Sequence, residues 1–306
     1  LFAQIYLLDQ GERLGKTVTS YREKYFTQNR WSMKWDLRPG AKEEITSKIQ
    51  DICLVMKAED YLDMKQPQHI ESLVYLSDAE MSRYNAMEED FLTEVIQENG
   101  ESLIIEAETA ATLASKLLQM ASGFIYHSER ELVNGKPKLN RTAHQLHDHK
   151  MDALEALLEQ LDGENVMIVY HFKPTLARLL AKFPDAVAMD KAGNAVTPWN
   201  KGKIKKLLVH PMSAGHGLNL QKGGRVMIFY DIPWSLETYQ QVIGRLHRQG
   251  QTRQVLLYHL VAKGTADEKV VVRLKEKRDT QEWLFQRLKR LANKRRKERE
   301  AMEEML

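Results

Sequence analysis

The sequence predicts an α/β fold in which a mostly parallel sheet carries helices on both faces. Two observations lead there. Short apolar runs bounded by polar residues recur through the second half of the chain: "NVMIVYHF" (165–172), "AVAMD" (186–190), "KLLVH" (206–210), "RVMIFYD" (225–231) and "VLLYHLV" (255–261). Stretches with helical apolar spacing fall between most of them, notably 173–183 and 235–246. A strand covered on both faces reads as a continuous apolar run rather than an alternating one, and parallel strands need helical crossovers.

The earlier elements follow the same logic. Residues 20–65 read as helical and linker-like, with a Pro-Gly stop and restart in "DLRPGAKEE" (36–44). "ESLVYLS" (71–77) reads as a strand, and Asp78 as the N-cap of a helix running to about Val95. "ETAATLASKLLQMASGF" (108–124) has apolar residues at helical spacing and a stop at Gly123. The polar stretch 127–148 reads as a loop between modules, and "KMDALEALLEQL" as an amphipathic helix ahead of the first run.

Composition sets the class. The 306 residues are 43% hydrophobic, enough for one large or two modest domains with a core. No window is apolar for the length of a membrane span, and no signal-peptide pattern opens the chain, so no membrane partner is expected and the setting is read as cytoplasmic. The chain opens with Leu1 in an apolar run, which suggests a piece of something longer. The single Cys53 excludes an internal disulfide framework and a cysteine-based zinc site. His144, His147 and His149 form the one histidine cluster, which reads as a solvated linker; no metal is expected. The net charge of +3 hides an acidic stretch from 71 to 110 and basic segments at 200–206 and 286–299, the latter a possible polyanion surface.

"QGERLGKTV" (10–18) resembles a phosphate-binding loop but has three residues between Gly11 and Gly15 where the loop needs four. One residue fewer changes which N–H groups point inward. No acidic motif at a strand end accompanies it, so a chance Gly-Lys-Thr is the reading adopted.

Ligands of open α/β sheets bind outside the carboxyl ends of the strands. Two loops stand out there, "PMSAGHGLNLQ" (211–221) and "IPWSLETYQQVIGRLHRQGQ" (232–251). Gly215 and Gly217 allow close backbone approach, and Ser213 offers a hydroxyl to a phosphate. Gln241, Arg245 and Arg248 recur at spacings of four and three, which places them on one helix face; guanidiniums on a common face suit a phosphoryl group.

"SAGHGLNL" followed by "QVIGRLHRQGQ" resembles motifs V and VI of the Swi/Snf-type ATPases of helicase superfamily two. The string Gln-x-x-x-Arg-x-x-Arg-x-Gly-Gln, the intervening "DIPWS" and "NVMIVYHF" as motif IV occur in the family's order. "PWNKGKIKKLLVH" and "KGTADEKVVVRLKEK" are also similar to its bacterial and phage members. The resemblance is strong over 106–290 and fainter over 1–105, where "QIYLLDQGERLG" is similar to the end of the first RecA-like domain. It implies four parts: a trailing end of that domain (1–30), a helical insertion and linker (31–105), a second RecA-like domain (106–290) and a basic helical tail (291–306).

The resemblance also implies roles. Arg245 and Arg248 would be arginine fingers on the γ-phosphate of ATP, with Gln241 sensing it. Ser213, Gly215, His216, Gly217 and Asn219 would line the loop between nucleotide and DNA backbone; family members commonly have a second glycine where His216 stands. His171, Lys201, Lys203, Lys205 and Lys206 would contact duplex DNA without sequence preference. Tyr170, Phe172 and Trp234 are read as packing, Trp234 as a wedge fixing the motif VI helix. Motifs I to III are not in the sequence, so ATP and Mg²⁺ would be held mainly by an N-terminal ATPase domain in cis, with nothing tightly bound to these residues. The alternatives at this stage are a nucleic-acid-binding module of helicase-like fold with no ATPase role, and a self-contained P-loop enzyme resting on residues 10–18.

Overall fold

A computed structural model describes residues 1–28, 35–53, 65–96, 102–107, 109–133, 136–213 and 217–275. The chain divides into two compact units, 1–62 and 63–306. In the first, helices Phe2–Asp9, Val18–Tyr25 and Ala41–Ile49 accompany an antiparallel pair, β1 (Phe26–Gln28) and β2 (Trp35–Leu37). Ile5, Leu14, Tyr21, Tyr25, Ala41 and Ile45 form its core.

The Gly-Lys-Thr segment belongs to this unit and is not built as an anion cradle. A helix precedes it where a phosphate loop has a strand. The Asp9 carboxylate accepts the backbone N–H groups of Gly11 (2.8 Å) and Arg13 (3.0 Å), so an anion of the protein's own already fills the turn. Thr17 caps the next helix, its hydroxyl accepting the Ser20 N–H at 3.1 Å.

In the second unit, β3 (Gln68–Val74) is followed by a helix, Asp78–Asp90, whose capping box pairs Ser77 with Glu80. That helix stops short of the expected Val95: Phe91 turns into the left-handed region (φ 58°), and β4 (Leu92–Ile96) pairs antiparallel with β5 (Ser102–Glu106). After helix Ala110–Ala121 comes a second correction. The stretch read as a loop is an antiparallel ribbon, β6 (Phe124–Val133) with β7 (Lys136–Gln145). In the sequence Asn-Gly follows Val133, a hairpin dipeptide whose signal the polar composition obscured.

The remaining strands are β8 (Val166–Val169), β9 (Val187–Ala188), β10 (Lys206–Val209), β11 (Val226–Phe229) and β12 (Leu256–Ala262). They form a six-stranded sheet in the order β3-β12-β11-β8-β10-β9, and every pairing is parallel. The α/β expectation is met. All four residues of β8 and of β11 are buried, and alternate ones serve opposite faces. Met167, Val169, Met227 and Phe229 pack with the helices around Trp199, Val242 and Val270, whereas Val166, Ile168, Val226 and Ile228 pack with those around Leu154 and Leu179. The edge strand β3 enters this sheet from residue 68, ahead of the boundary at 106 drawn from the sequence.

A buried ion pair ties the carboxyl ends of the sheet together. Lys150 Nζ lies 2.5 Å from Asp267 Oδ2, both side chains at most 2% exposed, and also donates to the Tyr230 carbonyl at 3.1 Å. Among the described residues no helix is long and apolar enough to cross a membrane, and no cluster of metal-ligating side chains occurs.

Candidate functional site

Helix Leu236–Leu246 starts at the carboxyl end of β11, capped by Ser235, and returns the chain to the amino end of β12. Its last turn therefore lies at the amino edge of the sheet. Arg245 sits there, half-buried, its carbonyl accepting the Leu220 N–H at 3.2 Å. The helix ends at Leu246, so Arg248 lies beyond it and does not continue the Gln241–Arg245 face as the spacing suggested. Arg248 is placed instead by a long-range bond from its guanidinium to Asn219 Oδ1. Gln241 is exposed on the helix and donates to Glu237 at 2.9 Å.

The loop after β10 supplies the other wall. Ser213 closes a turn on the His210 carbonyl, and Gly217 adopts φ +70°, a conformation that side chains other than glycine's resist. Gly215 and His216 lie outside the described residues. From 218 on, the loop runs down to the amino edge and is pinned there. The Trp199 indole N–H donates to the Leu220 carbonyl (2.8 Å), Asn200 to the Asn219 carbonyl (2.7 Å), and the Gln251 amide to the carbonyls of Gln221 and Gly224 (both 2.9 Å). A Cβ on Gly223 would lie 2.2 Å from the fully buried Trp199 ring, so only glycine fits there. Trp199 and Gln251 were not singled out from the sequence; their contacts are to loop carbonyls, which leave no side-chain pattern.

The electrostatics at this edge are distinctive. Among the described residues neither Arg245 nor Arg248 joins an ion pair, and the buried Nε of Arg245 has no acceptor. Burial, and then the Arg248 charge, lower the pKa of Arg245. Adjacent guanidiniums without a counter-charge suit an anion, and a planar fork suits a phosphoryl group.

The expected lysines lie ahead of β10 and, for Lys206, at its first residue, on the same amino edge. Lys201, Lys203 and Lys205 are exposed, and Lys206 pairs with Asp185 at 2.6 Å. His171 is at the other end, just past β8. Its backbone N–H and that of Phe172 donate to Asp231 Oδ2 (2.7 and 3.3 Å), while Ser122 Oγ donates to Asp231 Oδ1 (2.7 Å). The imidazole stacks on His210, with ring centroids 5.5 Å apart. Tyr170 is packed, as read. Trp234 is half-buried and packs against the cluster of Tyr84, Leu113 and Leu117 rather than against the core of the motif VI helix. The structure thus gathers Arg245, Arg248, Asn219 and the lysines at one edge of the sheet, and leaves Ser213 and His171 at the other.

Residues 149–250, which contain both edges, match the helicase conserved C-terminal domain family. The chain is also 42% identical over 82 residues to the human chromatin-remodeling ATPase INO80, covering 27% of this chain and 5% of that protein. Residues 149–250 are a helicase C-terminal domain of the SWI/SNF type. The helicase C-terminal domain sits within a longer stretch of similarity to putative protein p41 of Acyrthosiphon pisum secondary endosymbiont phage 1. That relative is 37% identical over 300 residues, which is 95% of this chain and 62% of the phage protein. Among solved structures, the Sulfolobus solfataricus SWI2/SNF2 ATPase core in complex with dsDNA is similar at 20% identity with a TM-score of 0.43, over 90% of this chain and 57% of that one. The chain spans less than two thirds of the curated relatives it matches.

Proposed function

We propose that this chain is the C-terminal part of an ATP-driven translocase of duplex DNA, acting in the cytoplasm, and that Arg245 and Arg248 are its arginine fingers. The observation that carries the reading is the pair of guanidiniums that have no counter-charge among the described residues, one with a buried Nε unpartnered there, at the edge built from both motif loops. These residues fit a triphosphate. ATP with Mg²⁺, when bound, supplies a γ-phosphoryl group with negative charge on its oxygens, held mainly by a first RecA-like domain in cis. A phage relative longer than this chain is consistent with such a domain.

The chain's own residues position and neutralise. Asn219 holds Arg248, and Leu220 holds the Arg245 backbone, so both arginines move with the motif V loop. Gln241, on the same helix, couples the terminal phosphate to domain closure. Ser213, Gly217 and Asn219 line the path from nucleotide to DNA backbone, with Gly215 and His216 in the same loop. Lys201, Lys203 and Lys205 add phosphate contacts that weaken with salt and carry no sequence information.

The test is DNA-stimulated ATP hydrolysis by the full-length protein. Arg245→Ala is expected to lower the rate by about 10³–10⁵, the worth of an arginine finger, with duplex affinity little changed. Retained hydrolysis in that variant would remove the finger assignment. Duplex affinity that ignores salt would remove the backbone-tracking one.

A further inference from the structure

Two consecutive residues hold the arginine pair, and each has a second partner on its far side. At Asn219 the side-chain Oδ1 accepts the Arg248 guanidinium, while the backbone carbonyl accepts the Asn200 amide at 2.7 Å. At Leu220 the N–H donates to the Arg245 carbonyl at 3.2 Å, while the carbonyl accepts the Trp199 indole N–H at 2.8 Å. The Arg245 carbonyl lies in the last turn of its helix, where carbonyls find no partner within the helix itself. Trp199 and Asn200 are neighbours on one short helix, Val196–Asn200. Residues 219 and 220 thus form a double bridge between that short helix and both arginines.

The short helix is a firm support. Trp199 is fully buried, in one cluster with Leu220, Val242 and Leu246. Its ring lies against Gly223 and Gly224, where an added Cβ would come within 2.2 and 3.0 Å of it. The N–H groups of Lys201, Gly202 and Lys203 close the helix end on the carbonyls of Thr197, Trp199 and Pro198. The amides of Gln221 and Gln251 fasten a different stretch: their bonds go to the carbonyls of Gln249, Gln221 and Gly224, past the two residues that meet the arginines.

We propose that Trp199 and Asn200 are positioning residues, which set where Arg245 and Arg248 stand by holding Leu220 and Asn219. The inference rests on the reading of both arginines as fingers. Packing alone does not account for the arrangement. Asn200 is only half-buried, so its amide is not core filling. The Leu220 carbonyl also accepts the Gly223 N–H at 3.2 Å, so loss of the indole N–H orphans no carbonyl; what is lost is direction. A finger acts on charge that develops in the transition state, so a misplaced one lowers kcat and spares KM. A displacement of about 1 Å, caused by a change far from the chemistry, can cost about 10²-fold.

The experiment is steady-state ATP hydrolysis by the full-length protein on duplex DNA, with urea unfolding of each variant alongside. Asn200→Ala should lower kcat by about ten- to a hundredfold, with KM for ATP, duplex affinity and unfolding midpoint little changed. Trp199→Phe keeps an aromatic ring without the N–H and should show the same split, with a lower midpoint from the smaller ring. Should that variant fail to fold, Asn200→Ala decides alone. Added to Arg248→Ala, Asn200→Ala should cost nothing further, because its route to the chemistry is already cut. Full kcat in Asn200→Ala, with Arg245→Ala inactive, would overturn the positioning role and leave the fingers standing. Losses that multiply with Arg248→Ala, or a raised KM at full kcat, would overturn it too by placing the effect elsewhere. Hydrolysis that survives Arg245→Ala would remove the fingers, and the positioning role with them.

Discussion

The two ends of the sheet differ in how their charges are settled. At the carboxyl end, Lys150 meets Asp267, and Asp231 collects one hydroxyl and two backbone N–H groups. At the amino end, Glu164 pairs with Arg225 and Arg253, and Asp185 with Lys206, yet among the described residues Arg245 and Arg248 pair with no carboxylate. Both ends tie strands with ion pairs, and the amino end in addition keeps two guanidiniums without a carboxylate among the described residues. Uncompensated charge within a folded domain is a cost, and such costs concentrate where a ligand relieves them.

The largest effect expected from this contrast is kinetic and belongs to the amino end. Arg245→Ala should cost about 10³–10⁵ in hydrolysis by the full-length protein while leaving its unfolding midpoint unchanged or slightly raised, because a poorly compensated charge is lost. A large fall in that midpoint would mean that the arginine is structural. At the carboxyl end the outcome should be reversed. Lys150→Met strands the Asp267 carboxylate in the core and should cost about 3–5 kcal/mol in urea unfolding. A neutral result would show that the pair does not hold the strand ends.

Acid should act on buried histidines next. Burial, and then the neighbouring His69, hold His259 down at about 3, where its Nε2 shares a 2.8 Å hydrogen bond with the Tyr239 hydroxyl. Burial likewise holds His147 at about 4. Both are neutral when folded and take up a proton only when unfolded, so stability is full above the ordinary histidine pKa near 6.5 and is lost as pH falls toward 4. The slope should reach about 1.4 kcal/mol per pH unit for each histidine. Unfolding free energies from pH 7 to 4.5 test this, and His259→Phe should flatten the curve. A slope unchanged by that substitution would assign the acid sensitivity elsewhere. The smallest effect is steric: Gly223→Ala should cost about 1–3 kcal/mol, since the new methyl overlaps the Trp199 ring. An unaltered midpoint would mean that the ring can yield.

Burial decided which parts of the fold were legible. Runs such as "VMIV" and "VMIF" announce their strands because both faces are covered, so no polar residue interrupts them. The ribbon of β6 and β7 is buried at Phe124 and Ile125 but exposed at Ser128, Asn140, Arg141 and Thr142, and so short a buried stretch carries no periodic signal. The helix from Asp78 was read too far because Leu92 and Val95 continue an apolar spacing that the Phe91 turn overrides. At the site, the residue types in the motif VI string were readable but their geometry was not. Spacing put Arg248 on the helix, whereas a side-chain amide twenty-nine positions away puts it off the helix. The rule that ligands gather at the carboxyl ends of strands pointed to both motif loops, yet the helix carries the arginines of the second back to the opposite edge.

The place of β3 has a consequence for how the domain is made. It is the first strand of its sheet to be synthesised, yet its single neighbour, paired over seven residues from Gln68↔Leu256 to Val74↔Ala262, is the last. On the ribosome, residue 68 must wait for residue 256 before it has a bonding partner. Until then the chain carries an open strand edge, the kind of surface that chaperones protect during synthesis.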